Sequence, residues 1–299
     1  MQIYDCVEFE IAIRCADVAS DLAFLLMDLR RLGAQPVADE LLARYRAAGF
    51  ELPQAVIDLY CAHRALVRAK VAALERSGAD PERDLAFSFE AASYLDLASA
   101  FVTPITPLLA IVSGLSGSGK STVAAAIGRI TGGRIIASDR VRKELAGLGA
   151  TDEGGAEWHQ GIYSSEWTAR TYDRMLELAS AELAQGRTAI VDATFLDAIE
   201  RERFVRAAHA LAKPALIVEI TLDDAVAAAR IAQRAQQRND PSDATLETRQ
   251  HQQVMLAETP LRIPEGALAV TIDTSAQGPA SLDALFDVLD GAGLVGSLR

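Results

Sequence analysis

The chain has 299 residues and a formal net charge of −12, with 50% hydrophobic and 23% charged residues. This balance is typical of globular proteins with room for two domains, and its acidity disfavours an extended nucleic-acid partner, which needs clustered Lys and Arg. Three cysteines without a C-x-x-C pair, no signal-peptide pattern and no uninterrupted apolar run of membrane-spanning length together predict a cytoplasmic protein with no membrane partner.

The first hundred residues are predicted to form helices only. Apolar residues recur at spacings of three and four after Asp17, Pro36 and Pro53, and Asp80 starts a fourth segment that runs to about residue 100. The inner face of the third segment is predicted to hold Val56, Leu59, Tyr60, Ala65, Leu66 and Val67. Two prolines in residues 103–107 suit neither a helix nor a central strand. We therefore predict an all-α helical module over residues 1–104 and a second domain over residues 105–299.

From residue 108 onward, short apolar strands alternate with segments of helical composition. The predicted strands are residues 108–112, 134–137, 188–191, 215–221 and 267–272. Alternation of this kind predicts an α/β domain with a parallel sheet and helices on both of its faces.

Residues 114–121 fit the pattern G-x-x-x-x-G-K-[ST], a loop that cradles phosphates between a strand and a helix. Lys120 would reach the β- and γ-phosphates, and the Ser121 hydroxyl would bind Mg²⁺. We therefore expect ATP and Mg²⁺ as cofactors. The candidate nucleotide-binding residues here are Gly114, Ser116, Gly117, Ser118, Gly119, Lys120, Ser121 and Thr122.

The second predicted strand ends at Ser138-Asp139, followed by Arg142 three residues later. A carboxylate at the carboxyl end of a parallel strand faces the crevice where α/β proteins bind ligands. Asp139 is a candidate general base for an acceptor hydroxyl, and Arg142 is a candidate contact for the acceptor or the transferred phosphate. The alternative is that Asp139 only caps the following helix.

The third predicted strand is followed by Asp192. An apolar strand that ends in Asp fits a Walker B element, which holds Mg²⁺ directly or through water. Asp192 is therefore a candidate metal ligand together with Ser121, and the alternative is a turn aspartate at a strand end.

Three arginines at spacings of four, Arg230, Arg234 and Arg238, precede an Asn-Asp-Pro-Ser turn. A segment of this composition can fold over bound phosphates and supply positive charge to the transition state. Arg234 is the candidate catalytic arginine, with Arg230 and Arg238 as further nucleotide contacts. The alternative is a solvated helix face paired with Asp223 and Asp224.

The aromatic segment 158–167 lies between the second and third strands, where an acceptor pocket would form. Its Trp and Tyr side chains suit stacking on a base or sugar, but aromatic residues also commonly fill protein cores. The segment leaves the acceptor open.

From Pro107 to the end, the chain resembles the P-loop kinases that include polynucleotide 5′-hydroxyl kinases, zeta-toxin-like kinases and gluconate-kinase-like proteins, with an AAA-type ATP-binding domain. The resemblance rests on residues 114–122, Ser-Asp-x-x-Arg at 138–142, Val-Asp-Ala-Thr-Phe at 191–195 and Pro-Ser-Asp-Ala at 241–244. It implies that Asp139 is the general base, that Arg142 contacts an acceptor-side phosphate and that Arg234 is the lid arginine.

The first hundred residues are similar to the C-terminal helical lobe of aminoglycoside-phosphotransferase-like kinases, over residues 3–9, 17–24 and 60–70. Asp5 aligns with that family's second metal-binding aspartate. The family's nucleotide-binding lobe and His-x-Asp catalytic loop would lie upstream of Met1. The resemblance therefore implies a helical module without phosphotransferase chemistry of its own. Such a module would pack on the P-loop domain, bind a protein partner or shape the acceptor site.

These patterns together predict a kinase that transfers the γ-phosphoryl group of ATP to a hydroxyl of a small-molecule or nucleotide-like acceptor. One alternative is an ATP-dependent switch or scaffold whose helical module binds a partner, and another is a polynucleotide 5′-hydroxyl kinase. A pure switch has no need of the Ser-Asp-x-x-Arg element, and the net charge disfavours the polynucleotide substrate.

Overall fold

The computed structural model describes residues 17–78, 80–149, 164–237, 246–258, 262–276 and 278–296. Contacts divide the chain into two compact units, one ending at Pro104 and the other running from Ile105 to Gly296. Asp5 and the other residues before Asp17 lie outside the described residues. The resemblance of the first hundred residues to a phosphotransferase lobe therefore stays a prediction.

The first unit contains four described helices, whose ends follow the sequence signals closely. They are α1 (Val18–Arg31), α2 (Gln35–Ala47), α3 (Gln54–Leu74) and α4 (Pro81–Val102). The side chain of Asp17 caps α1 by accepting a hydrogen bond from the Ala19 amide at 2.9 Å, and Asp80 caps α4 in the same way. Pro36 lies in the first turn of α2, where proline is tolerated because that amide has no helical partner.

The predicted inner face of α3 is only partly right. Ala65 is buried and Val56 and Tyr60 pack against the core, but Leu59, Leu66 and Val67 are exposed. The buried residues of the helix are Ile57, Cys61, Ala62, Ala65, Ala69 and Ala72. The small side chains among them let α1 and α4 pack close to α3.

Helix α4 is the most apolar of the long helices in the described part of the chain. It is the one described helix whose length and mean hydropathy, 1.2 over its most apolar 18 residues, would allow it to cross a membrane. In this unit Tyr94, Leu97 and Phe101 of α4 join Leu26 and Met27 of α1 in the core. The Arg30 guanidinium lies over the Phe101 ring of α4, 4.7 Å from its centre, which is a favourable cation–π contact.

The second unit is built on a five-stranded parallel sheet in the order β2-β3-β1-β4-β5. The strands are β1 (Leu109–Ser113), β2 (Arg134–Ala137), β3 (Ala189–Asp192), β4 (Ala215–Thr221) and β5 (Leu268–Asp273). This confirms the predicted α/β class and parallel sheet. Three strands begin and end one residue later than predicted, and β2 and β4 have the predicted bounds.

Helices connect the strands and cover the sheet. They are α5 (Lys120–Thr131), α6 (Ser138–Leu145), α7 (Ser165–Ala184), α8 (Ala198–Ala210), α9 (Asp224–Gln237), α10 (Leu246–Glu258) and α11 (Asp283–Gly291). One core cluster joins β1, β3 and β4 to α7 and α8 through residues such as Ile111, Val191, Met175 and Phe204. Because all strands are parallel, their carboxyl ends meet at one edge, which is where α/β proteins bind ligands.

The opposite edge of the sheet is stabilised by a buried carboxylate between two arginines. Glu182 of α7 accepts hydrogen bonds from Arg134 at 3.1 Å and from Arg187 at 2.6 Å. Burial acts to raise the pKa of Glu182, but the hydrogen bonds from the two arginines outweigh it and hold that pKa below its ordinary value of 4.5. The stabilisation is therefore complete above the unfolded-state pKa and is lost as pH falls through the folded-state value.

Replacing Glu182 with glutamine should lower the free energy of unfolding by about 1–2 kcal/mol at neutral pH, because both arginines lose their charged acceptor. Urea unfolding at neutral pH and at about pH 4 measures this, and the difference between wild type and variant should shrink at the lower pH. Glu177→Gln, which removes an exposed surface ion pair with Arg174, is the control and should have little effect. Equal unfolding midpoints for Glu182→Gln and wild type at neutral pH would contradict the assignment.

Candidate nucleotide-binding site

The predicted phosphate-binding loop leaves β1 after Ser113 and enters α5 at Lys120, as its sequence pattern requires. Three of its glycines have positive φ angles, 147° at Gly114, 80° at Gly117 and 88° at Gly119. Backbone in this conformation allows successive amides to turn toward a common point, and glycine adopts it without a Cβ clash. The N-terminus of α5, which favours anions, begins directly after the loop.

Lys120 and Ser121 form the first turn of α5. The Lys120 ammonium donates a hydrogen bond to the Leu115 carbonyl at 3.0 Å, so its side chain folds back over the loop. Ser121 and Thr122 are exposed. An ammonium over the loop and an accessible hydroxyl beside it are the two groups that the nucleotide-binding prediction requires.

The loop is also held by α10, a contact that the sequence analysis did not predict. The amide of Ser116 donates to the Gln252 side chain, and the carbonyl of Ser116 accepts from Arg249, both at 2.8 Å. Arg249 also donates to Asp224, at the start of α9, and this hydrogen bond holds the pKa of Asp224 below its usual value. Arg249 and Gln252 are buried, and their hydrogen bonds hold the backbone of the loop at Ser116.

Arg230 lies against the loop on the side of β5. Its guanidinium donates to the Thr274 carbonyl at 2.6 Å, and the Thr274 hydroxyl donates to the Ser118 carbonyl at 2.6 Å. A Cβ built on Gly119 would lie 3.5 Å from an Arg230 nitrogen. The structure thus brings Arg230 to the nucleotide loop.

The other two arginines of the row are described incompletely or not at all. The backbone of Arg234 belongs to α9, but its side chain is not among the described parts of the structure. Arg238 lies outside the described residues altogether. Their lid roles stay predictions.

Asp192 ends β3 at the carboxyl edge of the sheet. In the register of the sheet it lies beside Val112 of β1, two residues before Gly114, and beside Ala137 of β2, two residues before Asp139. Its carboxylate is buried, with 5% of the residue exposed. Asp192 therefore lies between the nucleotide loop and the predicted acceptor-side residues.

The donor atoms of Ser121 and Asp192 suit Mg²⁺. They offer a hydroxyl and a carboxylate oxygen, which are the hard ligands that this ion prefers. Among the described residues no group of three or more His, Cys, Asp or Glu side chains forms a self-sufficient metal site.

Asp139 and Arg142 lie one turn apart on α6 and contact each other. An oxygen of Asp139 lies 3.3 Å from a terminal nitrogen of Arg142, whose side chain is 10% exposed. Ala137 occupies the cap position of α6, and no side chain caps this helix. The alternative in which Asp139 is only a helix cap is therefore wrong, because Asp139 lies inside the first turn and a third of its side chain is open to solvent.

The loop after β3 is fixed by two buried side chains that the sequence analysis missed. The Tyr172 hydroxyl accepts a hydrogen bond from the Phe195 amide at 3.1 Å, and Arg201 donates to the Phe195 carbonyl at 3.1 Å. Burial raises the pKa of Tyr172, although hydrogen bonds from Thr194 and Phe195 oppose that rise. Side chains from α7 and α8 therefore hold the backbone of the loop that follows Asp192.

Only the last four residues of the predicted aromatic segment, 164–167, belong to the described residues. Residues 158–163 lie outside the described residues, and Trp167 lies in the first turn of α7 with the Arg170 guanidinium 4.5 Å from its ring centre. The acceptor role of this segment stays a prediction.

Gly114→Ala should destabilise the protein and weaken nucleotide binding. A Cβ at this position would lie 2.7 Å from the Ile220 carbonyl oxygen, and the φ of 147° is unfavourable for any side chain. The two effects together should cost about 2–4 kcal/mol of unfolding free energy. Thermal unfolding with and without ATP measures both losses. Gly291→Ala, where a Cβ meets open space, is the control, and equal behaviour of the two variants would contradict the role of Gly114.

Comparison with known proteins gives one family match. The family model described as an AAA domain matches residues 109–259, which span the nucleotide loop, Asp139, Asp192 and α10. Uncharacterized proteins of Mycobacterium bovis and Mycobacterium tuberculosis are 35% identical to this chain over 196 residues. The match covers 65% of this chain, and the chain spans only 39% of the length of these relatives.

Solved structures give more distant likenesses. A Chloroflexus aurantiacus protein described provisionally as a kinase is 21% identical, with a TM-score of 0.48 over 64% of this chain and 100% of its own. A sugar kinase from Janibacter is 17% identical, with a TM-score of 0.41 over 56% of this chain and 85% of its own. At these values neither likeness identifies an activity for this chain.

Proposed function

Because the chain belongs to the AAA domain family of P-loop nucleotide-binding proteins, we propose that it is an ATP-dependent kinase whose acceptor is a hydroxyl of a small-molecule or nucleotide-like compound. The order of groups along the carboxyl edge of the sheet carries the proposal. The nucleotide loop follows β1, Asp192 ends the adjacent β3, and Asp139 follows the next strand, β2. Three neighbouring strands would thus present the phosphate-binding, metal-binding and acceptor-side groups. This is the spatial order that phosphoryl transfer needs.

The nucleotide side of the site consists of the loop amides, Lys120 and Ser121. The amides and Lys120 would hold the β- and γ-phosphates, and the Lys120 ammonium would move from the Leu115 carbonyl to the phosphate oxygens. Ser121 and Asp192 would hold Mg²⁺, which when bound neutralises charge on the phosphates. Arg230 would contribute a further nucleotide contact beside Gly119.

The acceptor side consists of Asp139 and Arg142. Asp139 would take the proton of the acceptor hydroxyl while that oxygen bonds to the γ-phosphorus and the bond to the bridging oxygen of ADP breaks. Arg142 contacts the Asp139 carboxylate at 3.3 Å and would keep it oriented toward the acceptor. Arg234, from the predicted lid, would stabilise the charge that develops on the transferred group.

A second candidate is an ATP-dependent switch whose helical unit binds a protein partner. The observation that favours it is the exposed apolar face of α3, where Leu59, Leu66 and Leu74 are 57%, 50% and 72% exposed. In this case ATP would be hydrolysed to ADP and inorganic phosphate without any acceptor. The Asp139–Arg142 pair favours the kinase over the switch.

The rate of ADP formation distinguishes the two candidates. Purified protein with Mg-ATP should form ADP slowly alone and at least tenfold faster with one pool from a set of sugars, nucleosides, other hydroxyl metabolites and oligonucleotides. A rate that no pool changes would contradict the kinase and favour the switch. Stimulation by oligonucleotides alone would identify a polynucleotide kinase instead of a small-molecule kinase.

A further inference from the structure

Arg201 of α8 is one of the largest fully buried side chains in the described part of the chain, with 1% of the residue exposed. Its guanidinium makes three hydrogen bonds to three different segments. It donates to the Phe195 carbonyl at 3.1 Å, to a Glu219 carboxylate oxygen at 2.8 Å and to the Ser113 hydroxyl at 3.2 Å. Every nitrogen of its planar fork therefore has an acceptor.

Two of these acceptors lie at the exits of β1 and β3, and the third lies on the neighbouring strand β4. Ser113 is the last residue of β1 and directly precedes the nucleotide loop, and Glu219 lies opposite it on β4. Phe195 comes three residues after Asp192, which ends β3. One side chain thus connects the start of the nucleotide loop with the loop that follows the predicted metal ligand.

The segment that Arg201 holds on the β3 side is strained. Phe195 is not glycine, yet its φ is 47°, a left-handed conformation that is unfavourable for a residue with a side chain. Its amide is bound by Tyr172, its carbonyl by Arg201, and its ring packs edge-on against Tyr172 and Phe204 at 5.2 Å each. Strain of this kind persists only where the surroundings determine the conformation, and it concentrates at functional sites.

A buried arginine is an expensive way to fill space. Removing its charge from water is strongly unfavourable, and an apolar side chain of similar volume would often stabilise the fold equally well or better. Arginine differs from the alternatives in its rigid planar fork, which holds several acceptors at fixed distances from one another. Two of the acceptors of Arg201 are Ser113, at the end of β1, and Phe195, which follows β3. Arg201 therefore joins the ends of these two strands.

We propose that Arg201 is a positioning residue that sets the distance between the nucleotide loop and the Asp192 carboxylate, and thereby the affinity of the site for Mg²⁺ with nucleotide. The proposal rests on the proposed function only in that the site takes a magnesium nucleotide. Arg201 acts through Ser113 and Phe195 and touches neither phosphate nor metal.

The test replaces Arg201 with lysine, which keeps the positive charge but cannot reach three acceptors at once. Binding of a fluorescent ATP analogue is titrated at a series of Mg²⁺ concentrations. The Mg²⁺ concentration for half-maximal binding should rise about tenfold, while binding without Mg²⁺ should change less than twofold. Arg203→Lys is the matched control, because Arg203 lies on the same helix but binds Asp173 and Glu200 on the surface.

Thermal unfolding, measured in parallel, separates positioning from stability. A lower unfolding temperature with an unchanged Mg²⁺ requirement would show a purely structural role and overturn the proposal. Should Arg201→Lys fail to fold, Glu219→Gln weakens the same fork from its partly exposed end and should raise the Mg²⁺ requirement about threefold; an unchanged requirement overturns the proposal.

The wild-type protein separates this inference from the proposed function. Wild-type binding of Mg-ATP without transfer to any acceptor would contradict the kinase, and the Arg201 proposal would then stand or fall on the Mg²⁺ titrations alone. A wild-type protein that binds no nucleotide would overturn both.

Discussion

Replacing Asp139 with asparagine should lower the rate of phosphoryl transfer by about 10³-fold and leave the affinity for Mg-ATP within about twofold of wild type. Asparagine has nearly the shape of aspartate but cannot accept the proton of the acceptor hydroxyl. Asp139 lies in the first turn of α6, two residues past β2, and not in the nucleotide loop. The binding of ATP should therefore be retained when transfer is lost, and kinetic assays together with ATP titration measure the two effects separately.

The control for this variant is Asp173→Asn, which removes a carboxylate from an exposed ion pair with Arg203 in the same unit. It should transfer phosphate at close to the wild-type rate. The base assignment would be wrong if Asp139→Asn and Asp173→Asn had equal transfer rates. A loss of ATP affinity in Asp139→Asn that matched its loss of rate would instead assign Asp139 to nucleotide binding.

Replacing Lys120 with methionine should weaken Mg-ATP binding by about 10- to 100-fold, the equivalent of a charge-assisted hydrogen bond of about 1.5–3 kcal/mol. Transfer should fall further, by about 10³-fold or more, because charge that develops on the γ-phosphoryl group loses its nearest fixed cation. Methionine keeps much of the length and volume of lysine, so the loop itself should retain its fold. Titration calorimetry and steady-state kinetics measure the two losses.

Lys213→Met is the control for this second variant, because it removes a lysine that follows α8 near the far edge of the sheet. It should bind ATP as the wild type does. Unfolding temperatures of the two variants without nucleotide are measured in parallel, because Lys120 donates a hydrogen bond to the Leu115 carbonyl and any loss of fold must be separated from the loss of binding. Undiminished ATP affinity in Lys120→Met would contradict the assignment of the nucleotide loop.

The sequence predicted the sheet and the nucleotide loop well, for a physical reason. Parallel strands with helices on both faces are buried on both sides, so they form short runs of apolar residues, such as residues 189–191 of β3. Asp17 and Asp80 were predictable as caps because capping is a local interaction between a side chain and nearby amides. Features that depend on residues close together in the chain could therefore be predicted from a single sequence.

The residues that hold the site together were not predicted, because their partners are remote in the chain. Ser116 is 136 residues from Gln252, and Ser113 is 88 residues from Arg201. Hydrogen bonds across such separations leave no periodic pattern. One signal was present: Arg201 lies in register with buried Phe204, Val205 and Ala208 on α8, so helical spacing alone places a charged residue on the core face of this helix.

The same limit explains why Leu59, Leu66 and Val67 were placed on the inner face of α3 although they are exposed. Helical periodicity identified the helix and part of its buried face. The neighbours α1 and α4 pack on a stripe of mostly small residues, and no local pattern contains that information.

The measurement that tests the proposed kinase most directly follows the γ-phosphoryl group itself. Wild-type protein, Asp139→Asn and Asp173→Asn are incubated with Mg²⁺, ATP labelled at the γ-phosphate and the pool of hydroxyl compounds that stimulates ADP formation. The account predicts that the label moves to an acceptor with the wild type and with Asp173→Asn, and that Asp139→Asn forms almost no labelled acceptor although it binds ATP. Label recovered only as inorganic phosphate, at the same rate with all three proteins, would contradict it.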